Sequence, residues 1–187
     1  NLGKAVIARG KSAIPGVQLD INLQQPKSVG SIKLSSSNPF DKPIIDPNYL
    51  SDQRDIENFT KAFKHLRYIT EQDAFKDVLS TEISPGANIK ADADIHTAIR
   101  NLTTTGHHPV STCRMGNDND KSAVLDNKFI VRGTKNLRVV DASAFPDQIN
   151  GNINAAVIMM GEKAADVILD IPPLKREDPR ETTIEKG

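Results

Sequence analysis

The sequence predicts an α+β fold in which an antiparallel or mixed sheet is flanked by helices. Three observations carry that prediction. The early part of the chain alternates apolar and polar residues, and the middle carries apolar residues at spacings of three and four. A short apolar run near Arg138 then leads through a Gly- and Asn-containing turn into a final helical stripe.

Val17, Leu19, Ile21 and Leu23 share one face of an extended chain, the pattern of a half-buried strand over residues 17–23. A turn at Gln25-Pro26-Lys27-Ser28 separates it from a second alternation over residues 30–35, with Ile32 and Leu34 expected inward. Residues 38–48 hold three prolines, which remove donors and fix φ, so no regular helix forms there. Ser51 or Asp52 then caps a helix about 18 residues long, with Ile56, Phe59, Phe63, Leu66 and Ile69 in one stripe. A shorter helix is expected over residues 89–102, with Ile95 and Ile99 inward, followed by a strand over residues 136–140. The last helix is expected over residues 155–169 and buries Val157, Met160, Ala164 and Val167. Residues 172–187 are charged, contain proline and have few apolar side chains, which predicts a disordered tail.

A chain of 187 residues accommodates one domain with a real core. Lys+Arg and Asp+Glu number 24 each, so no net field recruits nucleic acid or an anionic membrane. No apolar run approaches the roughly 20 residues of a membrane helix. The N-terminal stretch lacks the continuous apolar core of a secretory signal, and the compartment stays open. Cys113 is the only cysteine, which rules out an internal disulfide and a cysteine-based zinc site, and it reads as a small packed residue. Asp118-Asn119-Asp120 begins like a calcium loop, but Ala123 and Phe129 stand where Gly and Glu are needed. No metal site is assigned.

Two segments stand out for chemistry: Gly106-His-His-Pro-Val-Ser-Thr-Cys-Arg-Met-Gly116, and Asn136-Leu-Arg-Val-Val-Asp-Ala-Ser, continuing to Asn150-Gly-Asn-Ile-Asn. His107 and His108 are adjacent, so they point in different directions and are not placed to chelate one metal. A lone histidine is more often a structural residue than a catalyst. Its setting argues the other way, because catalytic groups concentrate on loops such as this one beside Pro109. In the second segment Asp141 ends a strand, and a turn leads to a helix start capped by Asn152 or Asn154. Free N–H groups and partial positive charge at a helix start suit an anionic ligand or an electron-rich heterocycle. The plainer alternative is that Gly151 and the asparagines only build the turn and its cap.

In order, His-Pro-Val-Ser-Thr-Cys-Arg-Met-Gly, Leu-Arg-Val-Val-Asp-Ala-Ser, Gly-Asn-Ile-Asn-Ala and Gly-Glu-Lys-Ala-Ala-Asp resemble the C-terminal signature of the glucose–methanol–choline (GMC) oxidoreductases. Gly30-Ser-Ile-Lys-Leu and Ile44-Ile-Asp-Pro-Asn-Tyr-Leu50 resemble that family's substrate-domain region, so the likeness covers roughly residues 20 to 170.

The resemblance implies FAD as cofactor, an alcohol as substrate, and a fold whose strand and helix after residue 136 belong to the FAD domain. It implies that His108 takes the hydroxyl proton of the alcohol and that Asn152 hydrogen-bonds the substrate oxygen. Asp141 and Ala142 match the stretch that passes the FAD, and Asn152, Ile153 and Asn154 match the backbone that meets the flavin's pyrimidine side. Asn at 152 is more similar to the choline dehydrogenase side of the family than to the glucose oxidase side. Ser111 departs from the pattern, since the family more often has Gly there.

The G-x-G-x-x-G dinucleotide fingerprint of an FAD enzyme is absent from this chain. In the family that motif lies at the N-terminus of a chain roughly three times as long. Residues 1–171 are therefore expected to be the C-terminal region of such an enzyme, with residues 107–171 supplying active-site and FAD-contacting segments. Its partner is then the N-terminal FAD-binding portion of the same protein. Alone, the chain is expected to be inactive. Two other readings stay open: a lyase or other non-redox activity on the same scaffold, and a non-catalytic domain with structural polar residues.

Overall fold

The structure, a computed structural model, describes residues 16–172. The stretch read for a secretory signal and the expected tail beyond residue 172 lie outside them. The described architecture is α+β. A two-stranded antiparallel hairpin, β1 (Ser31–Lys33) and β2 (Ile44–Asp46), is followed by helices α1 (Gln53–Thr70), α2 (Asp92–Leu102) and α3 (Asn154–Ile168).

The hairpin pairs Ser31 with Asp46, Ile32 with Ile45 and Lys33 with Ile44. Pro43 and Pro47 bracket β2, so the ladder stops within three residues. Gly30 is required at its mouth, because a Cβ there would stand 2.2 Å from the Asp46 carbonyl oxygen. The expected inward placement of Ile32 and Leu34 is corrected: they are 52% and 85% exposed. Alternation says that two faces differ, not that either is covered, and a two-stranded hairpin covers neither. The strand expected over residues 17–23 is corrected too. Within it only Ile21 makes a bridge, and Ile21 and Leu23 lean on a helical core while Val17 stays exposed.

Helix α1 begins where its cap dictates. The Asp52 carboxylate accepts from the Arg54 N–H at 2.9 Å and also receives the Arg54 guanidinium. One turn on, Asp55 is fully buried, a costly place for a carboxylate unless its oxygens are bonded. They are: Lys27 N–H and Ser28 N–H each donate at 2.8 Å, and the Ser28 hydroxyl at 2.5 Å. The turn at residues 25–28 is thereby fastened to the start of α1.

Ile56 and Phe59 on α1 pack with Leu50 and with Ile95 and Ile99 on α2, forming one hydrophobic cluster. The expected stripe holds through Phe63, whereas Ile69 near the helix end is exposed. Helix α2 starts at Asp92 and not at residue 89, because Ile89 is spent on a turn, its N–H donating to the Gly86 carbonyl at 3.0 Å. Arg67 organises the intervening loop. Its guanidinium makes two hydrogen bonds to Glu82 at 2.8 Å, donates to the carbonyls of Ile89 and Gly86, and lies 4.3 Å from the Phe63 ring centroid.

A second cluster gathers Leu125, Phe129, Ala144, Phe145 and Ile153 with Met160 and Ala164 of α3; Val157 packs against it as expected, whereas Val167 is only partly buried and lies outside it. The strand expected over residues 136–140 does not form as a strand. Arg138 makes a single bridge to Ile130, and the surrounding chain is held by scattered bonds such as Val131 N–H to Leu137 O at 2.9 Å. Apolar surface outside the two clusters stays uncovered: Val29, Ile32, Leu34, Phe40, Ile44 and Ile45 around the hairpin, and Ile158 and Met159 on α3. No helix among the described residues is long and apolar enough to cross a membrane.

Candidate functional site

The site residues are carried by three segments that meet over the second cluster. The first is the loop bearing His108. From Ser111 it runs beside a short 3-10 turn at Ala142–Ala144, and three backbone bonds tie the two: Ser111 N–H to Ala142 O at 3.3 Å, Cys113 N–H to Ser143 O at 2.9 Å, and Met115 N–H to Ala144 O at 3.0 Å. Val110, Cys113 and Met115 pack beneath it against the cluster.

The second segment is the turn itself. Asp141 caps it, accepting from the Ser143 N–H at 2.8 Å and from the Ser143 hydroxyl. The Asp141 carboxylate is thus engaged inside its own turn, while Ala142 is partly buried against the cluster.

The third is the start of α3. Asn152 or Asn154 was expected to cap it, and this is corrected. Ile153 holds the cap position with no side-chain hydrogen bond, and Asn154 is the first helical residue. Burial decides: Ile153 is 8% exposed within the cluster, so packing sets the start of the helix. Among the described residues no side chain caps the first amides of α3, which stand at the positive end of the helix. Gly151, at φ 147°, turns the chain into this start, and a Cβ there would meet nothing within 4 Å.

His108 is half-buried, its neighbour His107 is exposed, and Asn152 and Asn154 are exposed. The tie between Ser111 and Ala142, and the shared packing of Val110, Ala142 and Ile153, anchor the three segments on one cluster. Beyond them, Arg114 holds Asp120 at 2.6 Å, and Arg132 donates to the carbonyls of Gly116, Asn117 and Asp120. The Asp120 carboxyl lies below its usual range, chiefly through its hydrogen bonds from Ser122 and then through Arg114. This network braces the loop's far end; Arg114 and Asp120 lie in segments the sequence singles out, whereas Arg132 gave no signal beyond its charge. Among the described residues no group of three or more His, Cys, Asp or Glu side chains could hold a metal ion.

Sequence reasoning passed over the backbone at residue 111. Ser111 has φ 70°, and its hydroxyl is enclosed without a hydrogen-bond partner among the described residues. The signal was present, since glycine is the residue a left-handed position favours.

A cavity of about 770 Å³ lies elsewhere, between residues 16–21, α1, the loop at residues 78–85 and α2. Its lining ends at Thr103 and includes none of His108, Asp141 or Asn152. It is separate from the candidate site.

Residues 26–161 match the family model described as GMC oxidoreductase. The human mitochondrial choline dehydrogenase is 43% identical over 161 residues, 86% of this chain and 27% of the relative. The chain thus spans little more than a quarter of that relative's length. Among solved structures, pyridoxine 4-oxidase from Mesorbium loti superposes with a TM-score of 0.70 at 38% identity, over 76% of this chain and 27% of the other. An FAD-dependent oxidoreductase from Chaetomium thermophilum gives a TM-score of 0.71 at 31% identity, over 75% of this chain and 24% of the other.

Proposed function

Since the chain belongs to the GMC oxidoreductase family, we propose that it is the C-terminal, substrate-side portion of an FAD-dependent alcohol oxidase or dehydrogenase. The observation that carries this reading is the convergence of the His108 loop, the Asp141 turn and the uncapped start of α3 over one cluster. Choline and pyridoxine, named in two of the relatives, both carry a primary alcohol.

The fit to FAD rests on the α3 start. Its amides have no side-chain cap, and open space surrounds Gly151 beside them. Such donors suit the pyrimidine side of a flavin, where negative charge develops on reduction. Ile153 and Asn154 would present this backbone, Asn152 would precede it, and Asp141 and Ala142 would pass alongside. When bound, FAD supplies the hydride acceptor, its N5.

The chain's own residues then divide the remaining work. The His108 imidazole accepts the proton of the substrate hydroxyl. Asn152 donates a hydrogen bond to the same oxygen as it gains negative charge. The C–H bond on the carbinol carbon breaks with its electron pair, which leaves as hydride, and the C–O bond becomes a carbonyl. His108 would hold the proton and the hydride would pass to bound FAD, so the alcohol loses two hydrogens in all. An imidazole can take up and release a proton in this way, and general-base help of this kind contributes roughly a hundred- to ten-thousand-fold.

The partner is the N-terminal FAD-binding portion of the same protein. Two bare surfaces, around the hairpin and on α3 at Ile158 and Met159, favour it, since contiguous exposed apolar area marks an interface. Residues 1–171 form the C-terminal region, and residues 107–171 its site-bearing part.

The test compares two proteins by flavin absorbance. The complete polypeptide should hold stoichiometric FAD and lose its oxidised-flavin band when mixed anaerobically with a primary alcohol. The 187-residue chain alone should hold little. Stoichiometric FAD on the isolated chain, or a complete protein whose flavin no alcohol reduces, would overturn the reading.

A further inference from the structure

We propose that His107 and Ser111 are positioning residues, whose left-handed backbone sets the course of the segment that carries His108. The inference rests on the reading of His108 as the base.

His107 has φ 62° and Ser111 φ 70°. Only a few per cent of residues other than Gly adopt this region, His more readily than Ser, and they stay there where their surroundings hold them. Both ends are held. The His107 N–H donates to Thr105 Oγ1 at 3.0 Å. The Ser111 N–H donates to Ala142 O at 3.3 Å, and the Ser111 carbonyl receives the Arg114 N–H at 3.3 Å.

Only His108, Pro109 and Val110 lie between. Proline fixes its own φ and restricts the residue before it to extended conformations. Val110 is packed against the cluster. Every joint of the short segment is therefore constrained, and the two left-handed residues are where it turns in and out.

The Ser111 hydroxyl supplies an independent sign. Enclosed and without a hydrogen-bond partner among the described residues, it adds no tie that would hold residue 111 at φ 70°, so the backbone bonds hold it there. His107, exposed at the entry, is on this view a turn residue and not a second base.

The experiment uses the complete flavoprotein, with Gly, Asn, Ala or Val at residue 111 and Gly, Asn or Val at residue 107. Four quantities are read: FAD content, the rate of flavin reduction at saturating alcohol, KM, and the pH profile of that rate. Gly and Asn should stay within about twofold of the parent, and Ser111→Ala should fall about tenfold, as small misplacements of a reacting group do. The Val variants should fall about a hundredfold with KM little changed and the pH profile displaced. Should Val at either place abolish FAD binding, Ala against Gly and Asn at residue 111 still decides. A ranking that follows polarity, with Ser and Asn above Gly and Ala, would overturn the proposal. So would a flat series, or rates that merely track FAD content. His108→Ala run alongside separates the two ideas. If it reduces at the parent rate, the reading of His108 fails; if it is slow while the series is flat, only the positioning role fails.

Discussion

The backbone N–H of Ser111 donates to the carbonyl of Ala142 at 3.3 Å, tying the loop that carries His108 to the turn capped by Asp141. Two further bonds in register, from Cys113 and Met115, extend that tie over the whole 3-10 turn. The loop is a lining strip laid on the same cluster that anchors α3, so the geometry of the site follows from the packing below it.

The two clusters should therefore separate stability from chemistry. Ile56 and Leu125 are both fully buried, one in each cluster. Truncating either to Ala should cost about 2–5 kcal/mol. In the complete protein, only Leu125→Ala should also lower FAD retention and the rate of flavin reduction. Thermal unfolding paired with flavin absorbance checks this.

Arg67 holds more than a surface ion pair. Its side chain is only 21% exposed, and it bonds Glu82 and two backbone carbonyls at once. Arg67→Ala should cost about 2–3 kcal/mol, the scale of charge-assisted bonds left unmade. Arg67→Lys should recover little, since an ammonium cannot reproduce the fork. The unfolding midpoint of the complete protein measures both.

Asp52 adds a pH signature. Hydrogen bonds from Arg54 hold its carboxyl at about 2, down from an ordinary 3.8. A folded-state value below the unfolded one means stability that is full above the unfolded value and lost as pH falls toward 2. Asp52→Ala should lower the unfolding midpoint at neutral pH, and the gap to the parent should close between pH about 4 and about 2. Midpoints across that range test the sign.

Helices were the legible part of the fold. Asp52 followed by residues at spacings of three and four specifies α1 locally, and the same spacing places Met160 and Ala164 inward on α3. Strands were not. Alternation at Val17 and Leu19, or at Ile32 and Leu34, needs a partner surface to become burial, and the described residues supply none. The cap of α3 was misread for a related reason: Asn152 and Asn154 have the chemistry of a cap, but the burial of Ile153 chose the register. The proposed role of His108 rests, in the sequence, on the ordered company of Asp141 and Asn152. Residue 111 was half legible, as a serine where glycine was expected, and its φ of 70° gives the reason.

The measurement that bears most directly on this account is flavin reduction by an alcohol in the complete protein carrying His108→Ala. The rate should fall about a hundred- to ten-thousand-fold, with FAD content unchanged. Reduction at the parent rate with the same pH profile would contradict it.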